Sequence, residues 1–199
     1  MVLTLLGAGA TGAIIGLIVL RGGFYNISAT ESHYPLIYTV FEEGLQYSIQ
    51  NHAEDIEVPA LGAPEQLLRG AALYRDNCLQ CHGGPGVAPS KHGMSMQPVP
   101  GPLVDADVNW ETRELYWITR HGIKMSGMPA WEYHLSDSDI WAVVAFVSAM
   151  PAMTPQDFRR MTAPGADAQA VPPAVLQSAR ESARNSARES AQTARKEES

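Results

Sequence analysis

The chain has 199 residues, which is enough for one ordinary domain with additional segments. It carries 14 Lys and Arg against 21 Asp and Glu, a formal net charge of -7. Because binding to nucleic-acid phosphates requires basic patches, this balance argues against nucleic acid as a partner. Residues 24–61 contain carboxylates but no Lys or Arg. Such an acidic field either attracts a basic protein or only keeps the surface soluble, and both interpretations remain open.

The N-terminal segment predicts a membrane helix. Residues 2–20 carry no charge, and at about 1.5 Å per residue they would span about 28 Å, close to the thickness of a hydrocarbon core. There is no basic region before this run and no small-residue cleavage site after it, so we expect an uncleaved anchor over residues 1–23 rather than a signal peptide. Gly12 and Gly16 form a G-x-x-x-G pattern, which is compatible with a partner transmembrane helix or with a lone anchor facing lipid.

Residues 24–61 predict an acidic segment beside the membrane. Between residues 35 and 53, Ile37, Val40, Phe41 and Leu45 fall near one helical face, and the Glu and Gln side chains fall mostly on the other. We therefore expect an amphipathic helix that lies against the membrane, the next domain or a partner. The Pro and Gly residues that follow indicate a linker.

Residues 62–161 predict a helical domain. A first helix begins near Pro64 and runs into the sequence CLQCH, and a second, ETRELYWITRH, stops at Gly122. A third, SDSDIWAVVAFVSAM, has Ser136 as its N-cap and stops at Pro151. Residues 83–102 are rich in Gly and Pro and predict a loop. No useful strand-like alternation occurs, so we expect an all-α fold.

The last segment, residues 162–199, predicts a low-complexity tail. From Ser178 the sequence repeats Ser-Ala-Arg every four residues, which places Arg180, Arg184 and Arg188 along one stripe. This pattern shows no apolar face to bury, so we expect a disordered tail or a fraying, charged helix.

The chain has only two cysteines, Cys78 and Cys81, and His82 follows the second directly. A thioredoxin-like redox pair would need a βαβ context, and a zinc site would need two further ligands. The C-x-x-C-H pattern also serves covalent haem attachment, in which the thiols add to the two vinyl groups and the histidine binds the iron. We therefore predict one covalently attached haem c, held by Cys78 and Cys81 with His82 as an axial ligand.

A six-coordinate iron needs a second axial ligand. Met94 and Met96 follow His82 closely, in the loop that must first wrap the ring edge, whereas Met125 and Met128 come after the second helix and can return to the opposite face. Met128 precedes Pro129, which restricts it to an extended conformation, so we predict Met128 as the second ligand of the iron. Trp131 is then placed to cover the haem edge.

The order of these motifs over residues 64–151 resembles the class I (monohaem, His/Met) bacterial cytochromes c, in their membrane-anchored variants. The resemblance rests on GAALY before CLQCH, then HGGPG, GMPAW and SDSDIWAVVAFVSAM. It implies three main helices around one haem, with Gly70 and Tyr74 crossing the last helix near Val143 and Phe146. It also implies that a proline carbonyl accepts the proton of His82. Pro102 is the matching position, with Pro100 as a rival.

These expectations together predict an electron carrier rather than an enzyme, because protein ligands fill both axial positions of the iron. Haem is attached to such motifs outside the cytoplasm. We therefore expect a single-pass protein of the bacterial inner membrane with its domain in the periplasm, although Arg21 by charge alone favours the opposite orientation. The expected partners in a respiratory chain are a quinol-oxidising complex or dehydrogenase and a terminal oxidase. Two alternatives remain: a fixed electron-transfer subunit of a membrane oxidoreductase and, if Met128 does not bind iron, a ligand-binding haem sensor.

Overall fold

The computed structural model describes residues 1–197, with side chains up to Arg188. The chain divides into two compact units, Met1–Ser32 and the remainder from His33 onward. The fold is all-α, as predicted, and the described residues contain only one isolated β-bridge, between Gly84 and Val87. The helices are α1 (Val2–Arg21), α2 (Pro35–Ala53), α3 (Pro64–Asn77), α4 (Leu79–His82), α5 (Lys91–Met94), α6 (Ala106–Asn109), α7 (Thr112–His121), α8 (Asp137–Ser148), α9 (Pro155–Met161) and α10 (Pro173–Glu197).

Helix α1 is the apolar N-terminal segment that the sequence predicts. An 18-residue window of this 20-residue helix has a mean hydropathy of 2.2, and none of its residues is buried within the structure. Among the described residues it is the one helix long and apolar enough to cross a membrane. Such a helix near an N-terminus is also compatible with a signal sequence.

The crossing of α3 and α8 forms the centre of the second unit. Gly70 lies against α8 so closely that an added Cβ would overlap the carbonyl oxygen of Ala142 and lie 2.9 Å from Cβ of Phe146. Tyr74, one turn further on, packs its ring 5.5 Å from that of Phe146. The predicted close crossing at Gly70 is therefore confirmed, with Ala142 rather than Val143 supplying the nearest backbone.

The ends of α7 and α8 explain why these helices begin and stop where they do. Glu111 and Glu114 form a reciprocal capping box at the start of α7, and Gly122 ends that helix with a φ of +66°. The hydroxyl of Ser136 accepts a hydrogen bond from the backbone N–H of Asp139 at 3.2 Å, which confirms the predicted N-cap of α8. Helix α8 ends at Ser148, before the predicted stop at Pro151.

Two helices flank this part of the fold: α2 packs on α7, and α10 packs on α8 and α7. The last turns of α2 pack on α7, where Ile49 and Ala53 are buried, and Arg113 donates to the carbonyl oxygen of Glu54 at 3.0 Å. Residues 33–53 thus belong to the second unit. The predicted division into residues 1–23, 24–61, 62–161 and 162–199 stays a prediction.

Helix α10 confirms the helical alternative predicted for the tail but corrects the expectation that the tail has nothing to bury. Val175, Ala179 and Ala183 lie in the same core cluster as Leu67 and Phe146, and Ser186 is also buried. The helix packs against α8 and α7. The expectation was wrong because Ala and Ser add little hydropathy to a repeat, although their small size lets helices approach closely. Residues 198 and 199 of the predicted tail lie outside the described residues.

Candidate haem-binding site

The CLQCH segment forms a single helical turn that follows α3 directly. Cys78 ends α3 and begins α4, and its carbonyl oxygen accepts from the N–H of Cys81 at 3.1 Å and of His82 at 3.0 Å. Both cysteines are free thiols, with Cys78 buried and Cys81 half-buried. Burial, together with the neighbouring Cys81, raises the pKa of the Cys78 thiol to about 12. This turn therefore displays two thiols and one imidazole within five residues.

Tyr74 fixes the backbone at the end of this turn. Its buried hydroxyl donates to the carbonyl oxygen of Gly83 at 2.8 Å, and burial raises the pKa of Tyr74. Gly83 has a φ of +66°, a left-handed conformation that suits glycine. A Cβ at Gly83 would also lie 2.9 Å from the ring of Pro89, so the chain turns sharply just after His82.

The imidazole of His82 is held by a backbone carbonyl, but not the one predicted. Nδ1 of His82 lies 2.8 Å from the carbonyl oxygen of Gly101, so the prediction that Pro102 supplies this acceptor is corrected by one residue. The acceptor belongs to the Gly101–Pro102 peptide bond, and Pro102 contributes by restricting the backbone of Gly101. Since a carbonyl only accepts, Nδ1 carries the proton and Nε2 remains available.

Residues 90–96 link the CLQCH turn to the segment that contains Met128. The N–H of Ser90 donates to the carbonyl oxygen of Gln80 at 2.9 Å, and a Cβ at Gly93 would lie 2.8 Å from Cα of Cys81. Further along, the half-buried Met96 places Sδ 2.6 Å from the position that a Cβ of Gly127 would occupy. The turn with His82 and the loop with Met128 are therefore connected through one short segment.

Met128 lies on a loop that is closed by its own hydrogen bonds. The N–H of Ile123 donates to the carbonyl oxygen of Met128 at 3.3 Å, and Ser126 Oγ accepts from the N–H of Met128 at 3.1 Å. Met128 is half-buried, whereas Met125 is 77% exposed. Met125 also has a φ of +63°, a left-handed conformation that is uncommon for a non-glycine residue. The exposure of Met125 agrees with the choice of Met128 as the candidate ligand.

Trp131 lies three residues beyond Met128, at the start of a short 3-10 helix, Trp131–Tyr133. Its ring is half-buried and meets the ring of His134 at a centroid distance of 5.9 Å. The role of Trp131 at a haem edge stays a prediction.

Sequence reasoning missed Gly101, Gly93 and Met96. A glycine inside a Gly-Pro-rich loop offers no pattern that marks one carbonyl as an acceptor or one backbone atom as a contact. For Met96 the missed feature is its contact with Gly127, which depends on two loops that hydropathy does not place together.

These residues fit a covalently bound haem. Two free thiols share one helical turn, an imidazole has one nitrogen hydrogen-bonded and the other available, and a thioether lies on a hydrogen-bonded loop. The all-α fold with this arrangement is that of a c-type cytochrome.

Comparison with known families agrees with this class. Residues 65–147 match the family model described as Cytochrome C oxidase, cbb3-type, subunit III. Residues 65–147 therefore match a class I c-type cytochrome domain, and this domain supports an electron-transfer role with haem. The match covers the domain only, and α1, α2, α9 and α10 lie outside it. No curated protein and no solved structure matches the chain.

Proposed function

We propose that the protein is a membrane-anchored monohaem cytochrome c that transfers single electrons in a respiratory chain. Cys78 and Cys81 would hold the haem covalently, with His82 and Met128 as axial ligands. The observation that carries this proposal is the hydrogen bond from His82 Nδ1 to the carbonyl oxygen of Gly101 at 2.8 Å. It fixes the imidazole on the turn that bears both thiols and leaves Nε2 free, so that Nε2 would be the atom that binds the iron.

The surroundings of His82 favour the neutral imidazole that metal binding requires. Burial lowers the pKa of His82, and the hydrogen bond to the Gly101 carbonyl opposes this shift in part. A carbonyl that accepts from Nδ1 also raises the basicity of Nε2 toward a metal. The backbone of Gly101, held next to Pro102, therefore sets both the orientation and the donor strength of the proximal ligand.

Met128 supplies the soft ligand on the other side. The hydrogen bonds of Ile123 and Ser126 hold the Met128 backbone in place, so the point from which the side chain extends is fixed. When bound, haem supplies a one-electron couple, and thioether ligation favours its reduced form and raises its potential. With both axial positions filled by side chains, the chain is suited to pass electrons through the haem edge rather than to bind a substrate.

The location follows from α1 and the haem-attachment motif. We place α1 across the bacterial inner membrane as a single retained anchor and the domain in the periplasm, where thiols of this motif acquire haem. A donor such as a quinol-oxidising complex or dehydrogenase and an acceptor such as a terminal oxidase would then lie in or on the same membrane.

The experiment that tests the ligand set compares oxidised and reduced absorption spectra of the haem-loaded protein with those of Met128→Ala and Met125→Ala. We expect the sulfur-to-iron charge-transfer band in the unsubstituted protein and in Met125→Ala, because Met125 is exposed. We expect its loss in Met128→Ala. If the band persists in Met128→Ala, another thioether binds the iron. Loss of the band in Met96→Ala would then identify Met96 as the ligand.

A second candidate is a fixed subunit of a larger oxidoreductase. It is favoured by the family match, whose description names a subunit of an oxidase. Purification from native membranes in a mild detergent separates the two proposals. A stoichiometric partner that remains bound through gel filtration supports a fixed subunit, and recovery of the chain alone supports a mobile carrier.

A further inference from the structure

Residues 35–47 of α2 expose an unusual concentration of large apolar side chains. Tyr47 is 72% exposed, Val40 59% and Phe41 54%, and Leu36 and Tyr38 are also exposed. Between residues 48 and 188 the exposed large apolar residues are few and scattered: Met94, Val99, Val108, Met125 and Tyr133. A contiguous exposed apolar patch of this kind indicates an interaction surface.

The polar residues between positions 35 and 47 occupy a narrow side of the helix. At about 100° per residue, Thr39, Glu42, Glu43 and Gln46 fall within an arc of about 100°. The apolar residues fill most of the remaining circumference. A seam between two helices needs only a narrow apolar stripe, whereas a helix that lies in a membrane interface has a broad apolar face and a strongly polar one.

The domain covers only the far end of this helix. Ile49 and Ala53 are the two buried residues of α2, and His52 places its ring 5.6 Å from the ring of Trp117 on α7. Within the first three turns, Phe41 meets the ring of His33 at 6.1 Å and stays more than half exposed. Apart from the half-buried Ile37 and Leu45, the apolar residues of α2 before Ile49 are thus left largely exposed by the described residues.

The sequence position of α2 keeps it near any membrane that α1 crosses. Only the residues from Gly22 to Tyr34 separate the two helices. Each residue extends the chain by no more than about 3.5 Å, so the end of α1 and the start of α2 lie within about 45 Å of each other. The tether also raises the effective concentration of α2 at the bilayer surface, so a modest intrinsic affinity for lipid suffices.

We infer that residues 35–47 of α2 lie in the plane of the membrane interface, with Leu36, Val40 and Tyr47 toward the acyl chains and Glu42 and Gln46 toward water. This inference rests on the proposed anchoring by α1. The chain from Gly22 to Leu68 contains no Lys or Arg, so the contact uses apolar burial rather than attraction to anionic headgroups. The amphipathic side chains of Tyr38 and Tyr47 suit the headgroup level. Helix α2 then sets the orientation of the haem domain over the bilayer.

The full haem-loaded chain in lipid nanodiscs allows a direct test. A single cysteine is introduced by Val40→Cys, or by Gln46→Cys as the matched control on the polar side, and is labelled with a nitroxide. Power saturation then compares collisions with oxygen, which concentrates in lipid, and with a water-soluble nickel chelate. We expect the label at position 40 to favour oxygen several-fold and the label at position 46 to favour nickel.

Each outcome decides the inference. Labels exposed to nickel at both positions mean that α2 stands in water, and a label at position 40 shielded from both reagents means that a protein covers the face. Either result, or a preference for oxygen at position 46, overturns the proposal. Nanodiscs of zwitterionic lipid alone and with added anionic lipid should give the same depth at position 40, and a requirement for anionic lipid would also contradict it.

Two controls separate this inference from the proposed function. Flotation of the unsubstituted chain with vesicles checks anchoring by α1, and a chain that stays with the soluble fraction contradicts the anchor. Labelling of the unsubstituted protein checks the thiols: a nitroxide signal would show that Cys78 or Cys81 is free of haem. If both controls give the expected results, the depth measurement reports on α2 alone.

Discussion

Helices α2 and α10 flank the cytochrome domain, and in both helices the hydropathy pattern of the sequence fails to indicate which residues the domain buries. Helix α2 has an evident amphipathic pattern, yet only Ile49 and Ala53 are buried in it. Helix α10 has a polar, repetitive sequence, yet Val175, Ala179 and Ala183 join the core. An amphipathic pattern therefore shows that a helix has an apolar face, but not that its own domain covers that face.

The difference follows from side-chain size. The Ala residues of α10 recur every four residues and form a smooth stripe, so the helix approaches the domain closely and gains many short contacts. Polar groups strengthen this contact: Arg180 donates to the carbonyl oxygen of Gly62 at 3.2 Å, and Ser186 accepts from the N–H of Thr112 at 3.0 Å. Residues 35–47 of α2, in contrast, present large side chains that stay mostly exposed to solvent.

The largest effect is expected from a charge placed in the α10 contact. Ala179 is fully buried, whereas Ala187 on the same helix is exposed. Ala179→Glu should lower the free energy of unfolding by about 3 kcal/mol, because the carboxylate would be buried without a partner. Ala187→Glu should change it by less than about 0.5 kcal/mol. Guanidinium titrations of the haem-loaded protein in detergent, followed by circular dichroism, measure both, and equal effects would contradict the packing of α10.

An intermediate effect is expected at the docked end of α2. Ile49 is fully buried, and Val40 is exposed. Ile49→Ala should lower the free energy of unfolding by about 2 kcal/mol. The loss cannot exceed the free energy needed to detach α2 from α7, because a detached α2 no longer depends on the packing of Ile49. Val40→Ala should have almost no effect in the same detergent titration. Should Val40→Ala destabilise the protein as much as Ile49→Ala, the contrast between the two halves of α2 would be lost.

The smallest effect concerns the hydrogen bond between α10 and the start of α7. The N–H of Thr112 lies in the first turn of α7, where no helical carbonyl can accept from it, and Ser186 Oγ provides the acceptor. Ser186→Ala should therefore cost about 1 kcal/mol. Ser182→Ala, also on α10 but half-exposed, controls for the higher helix propensity of alanine. A thermal melt in which both variants match the unsubstituted protein would show that the Ser186 contact does not contribute.

The main helices of the domain could be predicted because their signals are local. Pro64, Ser136 and Gly122 mark helix ends through their own backbone and capping chemistry, and the apolar spacing of α3 and α7 fixes which face is buried. The CLQCH motif likewise carries its geometry in five consecutive residues.

What could not be predicted depends on contacts between distant segments. The choice between the carbonyls of Gly101 and Pro102 is settled by how a loop 19 residues away meets His82, and a shift of one residue leaves the sequence pattern unchanged. The contact of Met96 with Gly127 joins two loops without periodicity. The burial of α10 depends on the surface of α7 and α8 against which it packs. The sequence of the tail alone contains no information about that surface.

The closed loop from Ile123 to Met128 has a consequence for the speed of electron transfer. A redox centre reacts slowly when its ligands must move as its charge changes. If Met128 binds the iron as proposed, its amide and carbonyl groups are already engaged by Ser126 and Ile123, so its backbone needs no new partner when the charge of the iron changes. Such preorganisation costs no rearrangement at the moment of reaction. The loop would therefore act as a rigid frame that keeps the reorganisation energy low.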